Sequence, residues 1–380
     1  MYKIKNILIT GGAGFIGSNL ALKLLSRGYH VTVLDNLSPQ IHSNTPEKDP
    51  LYLSIQNKVA FMNGSVTNRD AFEKAISSQD AIIHLAAETG TGQSMYDIKH
   101  YSDVNIGGTA LMLDILTNKP HNVKKVIVAS SRAIYGEGKY KCDKCGYVYP
   151  LERQNDDMLK GDFECKCPIC NSSVELVATT EDSLVHPTSV YGITKYNQEQ
   201  MVLTVCKAIG IDGVAMRYQN VYGPGQSLSN PYTGILSIFS TQILNNNNIN
   251  IFEDGLETRD FVFIDDVVDA TILALEVKEA AGNAFNIGTG VATNVIEVAK
   301  ILLSHYNSES TFSVSGNYRL GDIRHNFADI SRAKKILSYV PKVCFKQGIE
   351  QFTTWVKSQS VCEDKYTESI EELKAKGLYK

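Results

Sequence analysis

Three side chains lying far apart in the chain could act together on one hydroxyl group. Tyr191 and Lys195 stand in Tyr-Gly-Ile-Thr-Lys near the start of a helical stretch. Their i, i+4 spacing places both on one helix face. An ammonium beside a phenol favours the phenolate, so the pair predicts a tyrosine whose pKa falls toward neutrality and which can act as a general base. Tyr-x-x-x-Lys alone also occurs on helices that do no chemistry. Ser131 strengthens the reading, because it follows the apolar run 123–130, at the carboxyl end of a strand. In parallel sheets that is where ligands bind, and its hydroxyl could share a substrate oxygen with Tyr191.

A second set could hold a dinucleotide. Gly11, Gly14 and Gly17, with Phe15 and Ile16 between them, lie in Thr-Gly-Gly-Ala-Gly-Phe-Ile-Gly directly after the first apolar run. Such spacing allows a tight turn, close approach of backbone to a pyrophosphate, and packing of a helix whose N-terminus faces the phosphates. The bland alternative is a glycine-rich turn with no ligand. Asp35, followed by Asn36, ends the second apolar run at about the offset expected of a ribose-binding acid. A carboxylate there accepts bonds from ribose hydroxyls and repels a 2′-phosphate, which points to NAD rather than NADP. Its alternative is an aspartate that merely caps a strand.

A third set could hold a metal. Five of the eight cysteines fall between 142 and 170, and four form Cys142-x-x-Cys145 and Cys167-x-x-Cys170. Two such pairs can wrap opposite sides of a tetrahedral zinc, and four thiolates leave no open position, so the ion would be structural. Cys165 is a spare that could replace Cys167. A redox pair is the rival reading.

Elements must bring these sets together. Apolar runs at 4–10, 31–35, 59–62, 81–85, 123–130 and 214–217 alternate with helical periodicity at 15–27, 69–77, 103–117 and 188–209. That rhythm predicts an α/β Rossmann fold, a doubly wound parallel sheet with helices on both faces. From 220 the elements shorten after the loop NVYGPGQSLSNPYTG, which predicts a smaller C-terminal substrate-binding lobe. The expected division is 1–138 and 179–219 for the NAD-binding domain and 139–178 for an inserted zinc-ribbon-like module. Residues 220–360 form the lobe, with some segments returning to the first domain, and 361–380 a peripheral tail. A net charge of −4 gives no basic footprint for nucleic acid. No run reaches the roughly 18 apolar residues of a membrane helix, and the first residues carry no apolar leader. The expectation is a cytoplasmic protein with reduced thiols.

The motifs in order resemble the extended short-chain dehydrogenase/reductase superfamily and, within it, the nucleotide-sugar epimerases. The carrying segments are 10–17, Asp35-Asn36, His84-Leu-Ala-Ala, Asn105, Ser-Ser-Arg-Ala-Ile-Tyr-Gly at 130–136, 191–195, Arg-Tyr-Gln-Asn-Val-Tyr-Gly at 217–223, Arg-Asp-Phe-Val at 259–262 and Gly321-Asp322. SSRAIYGEGKY, RYQNVYGPGQSLSNPYTGILSIFS and GDIRHNFADISRA are similar to the dTDP-L-rhamnose 4-epimerase branch. The resemblance implies Tyr191 as base, Lys195 on the nicotinamide ribose and Ser131 assisting. It implies Ser65, Val66, Leu85, Ala86, Ala87, Asn105 and Tyr218 around a tightly bound NAD. Thr89, Asn220, Phe252, Arg259, Arg319 and Asp322 are then expected on a dTDP- or UDP-sugar, in a homodimer. For Arg259 and Arg319 the alternative is solvated surface charge. Ser65 departs from the family's usual aspartate, which leaves adenine recognition weaker. Arg132-Ala133 stands where the dehydratase branch carries Asp-Glu, so the acid that eliminates water is missing. The expected reaction is C4 epimerisation through a transient 4-keto sugar. The alternatives are a dehydrogenase or reductase with exchangeable NAD(P), and a zinc-ribbon binding module without catalysis.

Overall fold

The computed structural model describes residues 4–230, 232 and 234–380. The leader reading at 1–3, and positions 231 and 233 of the expected loop, lie outside the described residues. Seven parallel strands form the main sheet: β1 (Asn6–Thr10), β2 (His30–Asp35), β3 (Ala60–Asn63), β4 (Ala81–His84), β5 (Lys125–Ser131), β6 (Asp212–Tyr218) and β7 (Ala284–Ile287). Their order is β7-β6-β5-β4-β1-β2-β3. The chain builds outward from β1 to β3, then returns to β4 on the other side of β1, so a crevice opens at the carboxyl ends of β1 and β4.

Strand periodicity sorts the core into two layers. Ile7 and Ile9 of β1 point to one apolar cluster and Leu8 to the other. In β5, Ile127 and Ala129 separate from Val126 and Val128 in the same way. Helices α1 (Phe15–Ser26) and α5 (Ile264–Glu276) cover the first side; α2 (Arg69–Ile76), α3 (Gly108–Asn118) and α4 (Val190–Ala208) cover the second. Both faces are covered, which is why these strands read as unbroken apolar runs. β7 belongs to the late part of the chain and completes the sheet edge.

Three regions go beyond the sequence reading or depart from it. The helix expected over 103–117 starts at Ile98 and passes through a π-helical turn, Ser102–Gly107, before α3. Asn105 sits in that turn, and its carboxamide bonds both backbone groups of Glu88, which local periodicity cannot reveal. Residues 139–178 form a separate excursion with three short antiparallel strands, Tyr140–Cys142, Gly146–Val148 and Glu175–Leu176. The tail, expected to be peripheral, is not. Tyr366–Ala375 is a helix that buries Ile370 and Leu373, and the final residues pair with 318–320 through Tyr318 N–H to Lys380 O and Lys380 N–H to Tyr318 O, each 3.0 Å. Its Lys/Glu content obscured a narrow apolar stripe. Among the described residues no helix is long and apolar enough to cross a membrane.

His84 ends β4 in the core, its Nδ1 2.7 Å from the Thr10 hydroxyl and Nε2 3.0 Å from that of Thr109. Burial, reinforced by Lys195, lowers its pKa to about 3. Between that value and the ordinary 6.5 the unfolded chain binds a proton that the folded chain refuses, so stability rises with pH across the window. Chemical denaturation of the wild type is expected to show this slope below pH 6.5, and His84→Gln to flatten it. Equal slopes in the two proteins would contradict the assignment.

Candidate active site

The glycine turn is forced by its neighbours. Gly11 has φ 67°, and a Cβ there would lie 2.7 Å from Ala86 N; one on Gly17 would lie 2.3 Å from Gly11 O. Gly14 caps α1 without a side-chain bond, so the first N–H groups of that helix lack a side-chain acceptor. Asp35 accepts Ala13 N–H through Oδ2 and Leu37 N–H through Oδ1, both at 2.9 Å. Its carboxylate therefore shapes the turn as well as facing the crevice. His42, which the motifs did not single out, is buried between Asp35 and Asp49. A forced turn, an uncapped helix N-terminus and a buried acid suit a dinucleotide pyrophosphate and ribose.

One cavity of about 580 Å³ runs from this turn to Arg319. Gly11, Gly14, Phe15, Ile16, Gly17, Asp35 and Asn36 line one end of it, with Ser65, Val66, Leu85, Ala86, Ala87 and Tyr218. The Ser65 hydroxyl is engaged by that of Thr67 at 2.8 Å. Asn105 is the exception. It is fully buried behind the wall, holding Glu88 and donating to the Thr194 hydroxyl at 2.9 Å. It supports the wall rather than lining it.

Ser131, Tyr191 and Lys195 all line the cavity, with the Ser131 hydroxyl beside the Tyr191 phenol. Ser189 caps α4 by accepting Gly192 N–H, and Tyr191 N–H donates to Ser94 Oγ at 3.0 Å. A Cβ on Gly192 would lie 2.5 Å from Ala133 O, so the helix start is pressed against the loop after β5. Deeper in, Ser130 Oγ donates to Glu199 at 2.6 Å, and Arg217 grips the same carboxylate through Nε at 3.0 Å and Nη2 at 2.6 Å. Ser130 and Arg217 are register partners on β5 and β6, so one glutamate of α4 ties the helix to two strands. Alternation along β5 then turns Ser131 toward the cavity.

The electrostatics differ from the sequence expectation. Burial raises the Tyr191 phenol above its ordinary value, and the opposing pulls come from the Ser131 hydroxyl and the Arg132 charge. Lys195 donates to Gln198 Oε1 at 2.9 Å, and burial lowers it to about 7. Helical spacing put Tyr191 and Lys195 on one face, but Gln198, one turn on, takes the ammonium.

At the far end Asn220, Arg259, Arg319, Asp322, Phe252 and Thr89 all line the cavity. Asp322 lies between two arginines, 3.3 Å from Arg259 Nη2 and 2.8 Å from Arg319 Nη2. Burial works to raise its carboxyl, but Arg319, Arg259 and Arg132 outweigh that and hold it well below the usual range. The three arginines are not equivalent. Arg259 spends its terminal nitrogens on Thr258 O, Arg324 O, Ile323 O and Asp322. Arg319 lies over the Phe252 ring with a buried, unpartnered Nε. Arg132 donates through Nε to Asn220 Oδ1. Among the described residues Arg132 has no carboxylate within ion-pair distance and faces the cavity. In the sequence it registered only as a departure from the dehydratase pattern. Two other groups were missed. Burial raises Glu257 at the wall to about 7, and Tyr366, Ser369, Ile370 and Leu373 of the terminal helix close this end.

Beside this end, the thiols of Cys142, Cys145, Cys167 and Cys170 lie within 4.8 Å of one another, and those of Cys142 and Cys170 are 3.6 Å apart. A tetrahedral zinc with ~2.3 Å Zn–S bonds has edges of about 3.8 Å. All eight cysteines are free thiols. Cys165 is buried outside the cluster, so it is the Cys-x-x-Cys pair that converges.

Fold and site together define a dinucleotide-binding enzyme class in which a Ser/Tyr/Lys set faces a polyanion pocket. The chain belongs to the NAD dependent epimerase/dehydratase family, whose model matches residues 7–152 and 171–288. The internal gap in the match, 153–170, falls inside the cysteine excursion, and the match ends at 288. A dTDP-L-rhamnose 4-epimerase of Burkholderia thailandensis is 36% identical over 93% of this chain and 96% of its own. The structure of UDP-glucose 4-epimerase with UDP-glucose from Thermotoga maritima is 31% identical and covers 93% of this chain and 98% of that one, with TM-score 0.74. That of UDP-glucuronic acid 4-epimerase from Bacillus cereus, with UDP-glucuronic acid and NAD, is 28% identical with TM-score 0.74, over 93% and 99%.

Glu199→Gln keeps the shape of the side chain but leaves Arg217 without its buried counter-charge. Breaking such a pair costs roughly 3–5 kcal/mol. Denaturant unfolding is expected to show a loss of that order, with turnover falling because Ser131 and Tyr191 are set by the same anchor. Wild-type stability would rule out the anchoring role.

Proposed function

We propose that the protein is an NAD-dependent nucleotide-sugar 4-epimerase. The observation that supports this reading is that the Ser131 and Tyr191 hydroxyls, beside each other, line the same cavity as the glycine turn and the arginine-bearing wall. A dinucleotide cradle lies at one end and Arg132, Arg319 and Asp322 at the other. A nucleoside diphosphate sugar spans that distance with its phosphates on the guanidinium groups and its sugar against the two hydroxyls. Bidentate donors suit the diphosphate. Tyr191 takes the proton of the sugar's C4 hydroxyl while Ser131 holds the same oxygen. NAD held by the glycine turn and Asp35 would supply the acceptor for the C4 hydride and, once the planar 4-keto sugar has turned over, the donor to its other face. The proton on Tyr191 then goes back to the new hydroxyl, and no external redox partner is needed. Asp35 favours NAD over NADP, since a 2′-phosphate would face a buried carboxylate. The missing dehydratase acid argues in the same direction, because Arg132 cannot donate the proton that expels water. The dTDP- and UDP-sugars named for the relatives support a nucleoside diphosphate sugar as substrate.

Tyr191→Phe is expected to keep the fold and bound NAD and to lose roughly two to four orders of magnitude in turnover, the usual size of a general-base contribution. Near-full activity would remove Tyr191 from this role. An enzyme that works only with added NAD(P) and accumulates oxidised sugar would instead be a dehydrogenase or reductase.

The four converging thiols support a structural zinc, which would give the excursion at 139–178 the folding free energy that so small a segment lacks. Elemental analysis is expected to find about one zinc per chain, reduced by Cys142→Ser, with NAD still bound. Metal-free protein whose cysteines are oxidised in pairs would favour the redox reading.

A further inference from the structure

The cysteine excursion reaches the substrate end through one arginine. Arg153 lies between the two cysteine pairs with its side chain almost wholly buried, and its guanidinium donates to Phe163 O of the same excursion at 3.1 Å as well as to groups beyond it. It grips Glu253 of the second lobe with two bonds of 2.8 Å. Its Nε lies 3.2 Å from Glu137, a buried acid just beyond the loop that carries Ser131. Its Nη2 also donates to the backbone oxygen of Asp322 at 3.0 Å. A single side chain thus touches the catalytic loop, the second lobe and the acid between Arg259 and Arg319. Glu164 of the same module makes a second fastening. It accepts from Arg324 Nε at 2.9 Å and lies 3.2 Å from His325. Arg324 is fully buried and bonds Glu253 and Asp254 as well, and its N–H donates to Glu137. Both fastenings close on the segment 322–324, whose carbonyl oxygens orient Arg259.

We propose that Arg153 is a positioning residue for nucleotide-sugar binding, and that the metal-loaded cysteine module holds it in place, so that metal and nucleotide sugar bind with positive coupling. This rests on the metal and nucleotide-sugar readings above. The physical reason is geometric. A bidentate guanidinium fixes direction as well as charge, so its partners move with it. If the thiol cluster opens, the strands beside it lose their cross-link, and the spacer that carries Arg153 and Glu164 loses its fixed origin. Segment 322–324 then loosens, and Asp322 no longer sets Arg319 toward the diphosphate. Coupling of this kind is reciprocal: nucleotide must tighten metal binding by the factor by which metal tightens nucleotide.

The test uses the full-length holoenzyme with UDP and dTDP as probes. Calorimetry of the native protein, of protein stripped by a chelator, and of Arg153→Ala is expected to give diphosphate affinities roughly tenfold weaker in the last two, within the usual range of such couplings. Stripping Arg153→Ala should add little further. In turnover with the best nucleotide sugar, Arg153→Ala should raise KM by a similar factor with kcat within about twofold, whereas mere destabilisation would lower kcat through the active fraction. Arg153→Lys keeps the buried positive charge and serves if the alanine variant does not fold; it should weaken binding by a smaller factor, having no fork for Glu253. Zinc-loaded Arg153→Ala or Arg153→Lys with wild-type diphosphate affinity overturns the proposal. So does stripped, folded protein that binds the probes as tightly as the native form. Absence of zinc from the native protein would sink the metal reading itself, and with it the coupling. Normal coupling without turnover of any nucleotide sugar would leave the coupling standing and sink the epimerase reading.

Discussion

A carboxylate with no access to water sets the geometry of this protein. Glu199 receives Ser130 from β5 and Arg217 from β6, and it sits on the helix whose first turn carries Tyr191. An unpaired charge at that depth would be costly, so helix and strands can dock in only one register. The register puts Ser131 opposite Tyr218 and leaves its hydroxyl beside the phenol. Arg217 goes further, bonding the Tyr135 hydroxyl at 2.7 Å, which in turn donates to Asn286 of β7. The three strands that build the later half of the sheet are thereby indexed to the helix that carries Tyr191.

The opposite wall follows a different rule. There Asp322 meets Arg319, Arg259 and Arg132, with Glu257 on the same wall. An anion entering the cavity would be drawn to the guanidinium groups that are not already committed. The asymmetry among the arginines sharpens the effect, since Arg259 is committed to backbone oxygens while Arg132 and Arg319 keep donors directed at the cavity. Apolar side chains of the terminal helix exclude water beside them, which strengthens any charge interaction made there.

Much of this was legible in the sequence where local rules dominate. The glycine turn follows from steric limits that act within a few residues, and the strands announced themselves because both faces are covered. Cysteine spacing picked out the four thiols that converge, because a two-residue gap is itself a geometric instruction. What was hidden depends on long-range partners. Lys195 was expected to tune Tyr191, yet Gln198 competes for it. Arg259 was expected on the substrate, yet the carbonyls of a segment some sixty positions later occupy it. Asn105 was placed at the cofactor and is instead a brace for Glu88. The tail passed for a solvated appendage, since two inward residues among many charges make a weak pattern.

The cysteine excursion leaves and rejoins the sheet at one point. Val177 N–H bonds Lys139 O, and Lys139 N–H bonds the Thr179 hydroxyl. A detour with a closed stem can enter a gene in one event, because neither neighbouring strand has to move. Leaving is another matter. Once Arg153 and Glu164 had become the counter-charges of Glu253, Glu137 and Arg324, simple excision would strand those groups in the interior. The family's pattern is interrupted inside this detour, yet the surroundings have grown dependent on it. Such an addition behaves as an evolutionary ratchet: easily gained as an ornament, and lost only if several distant positions change together.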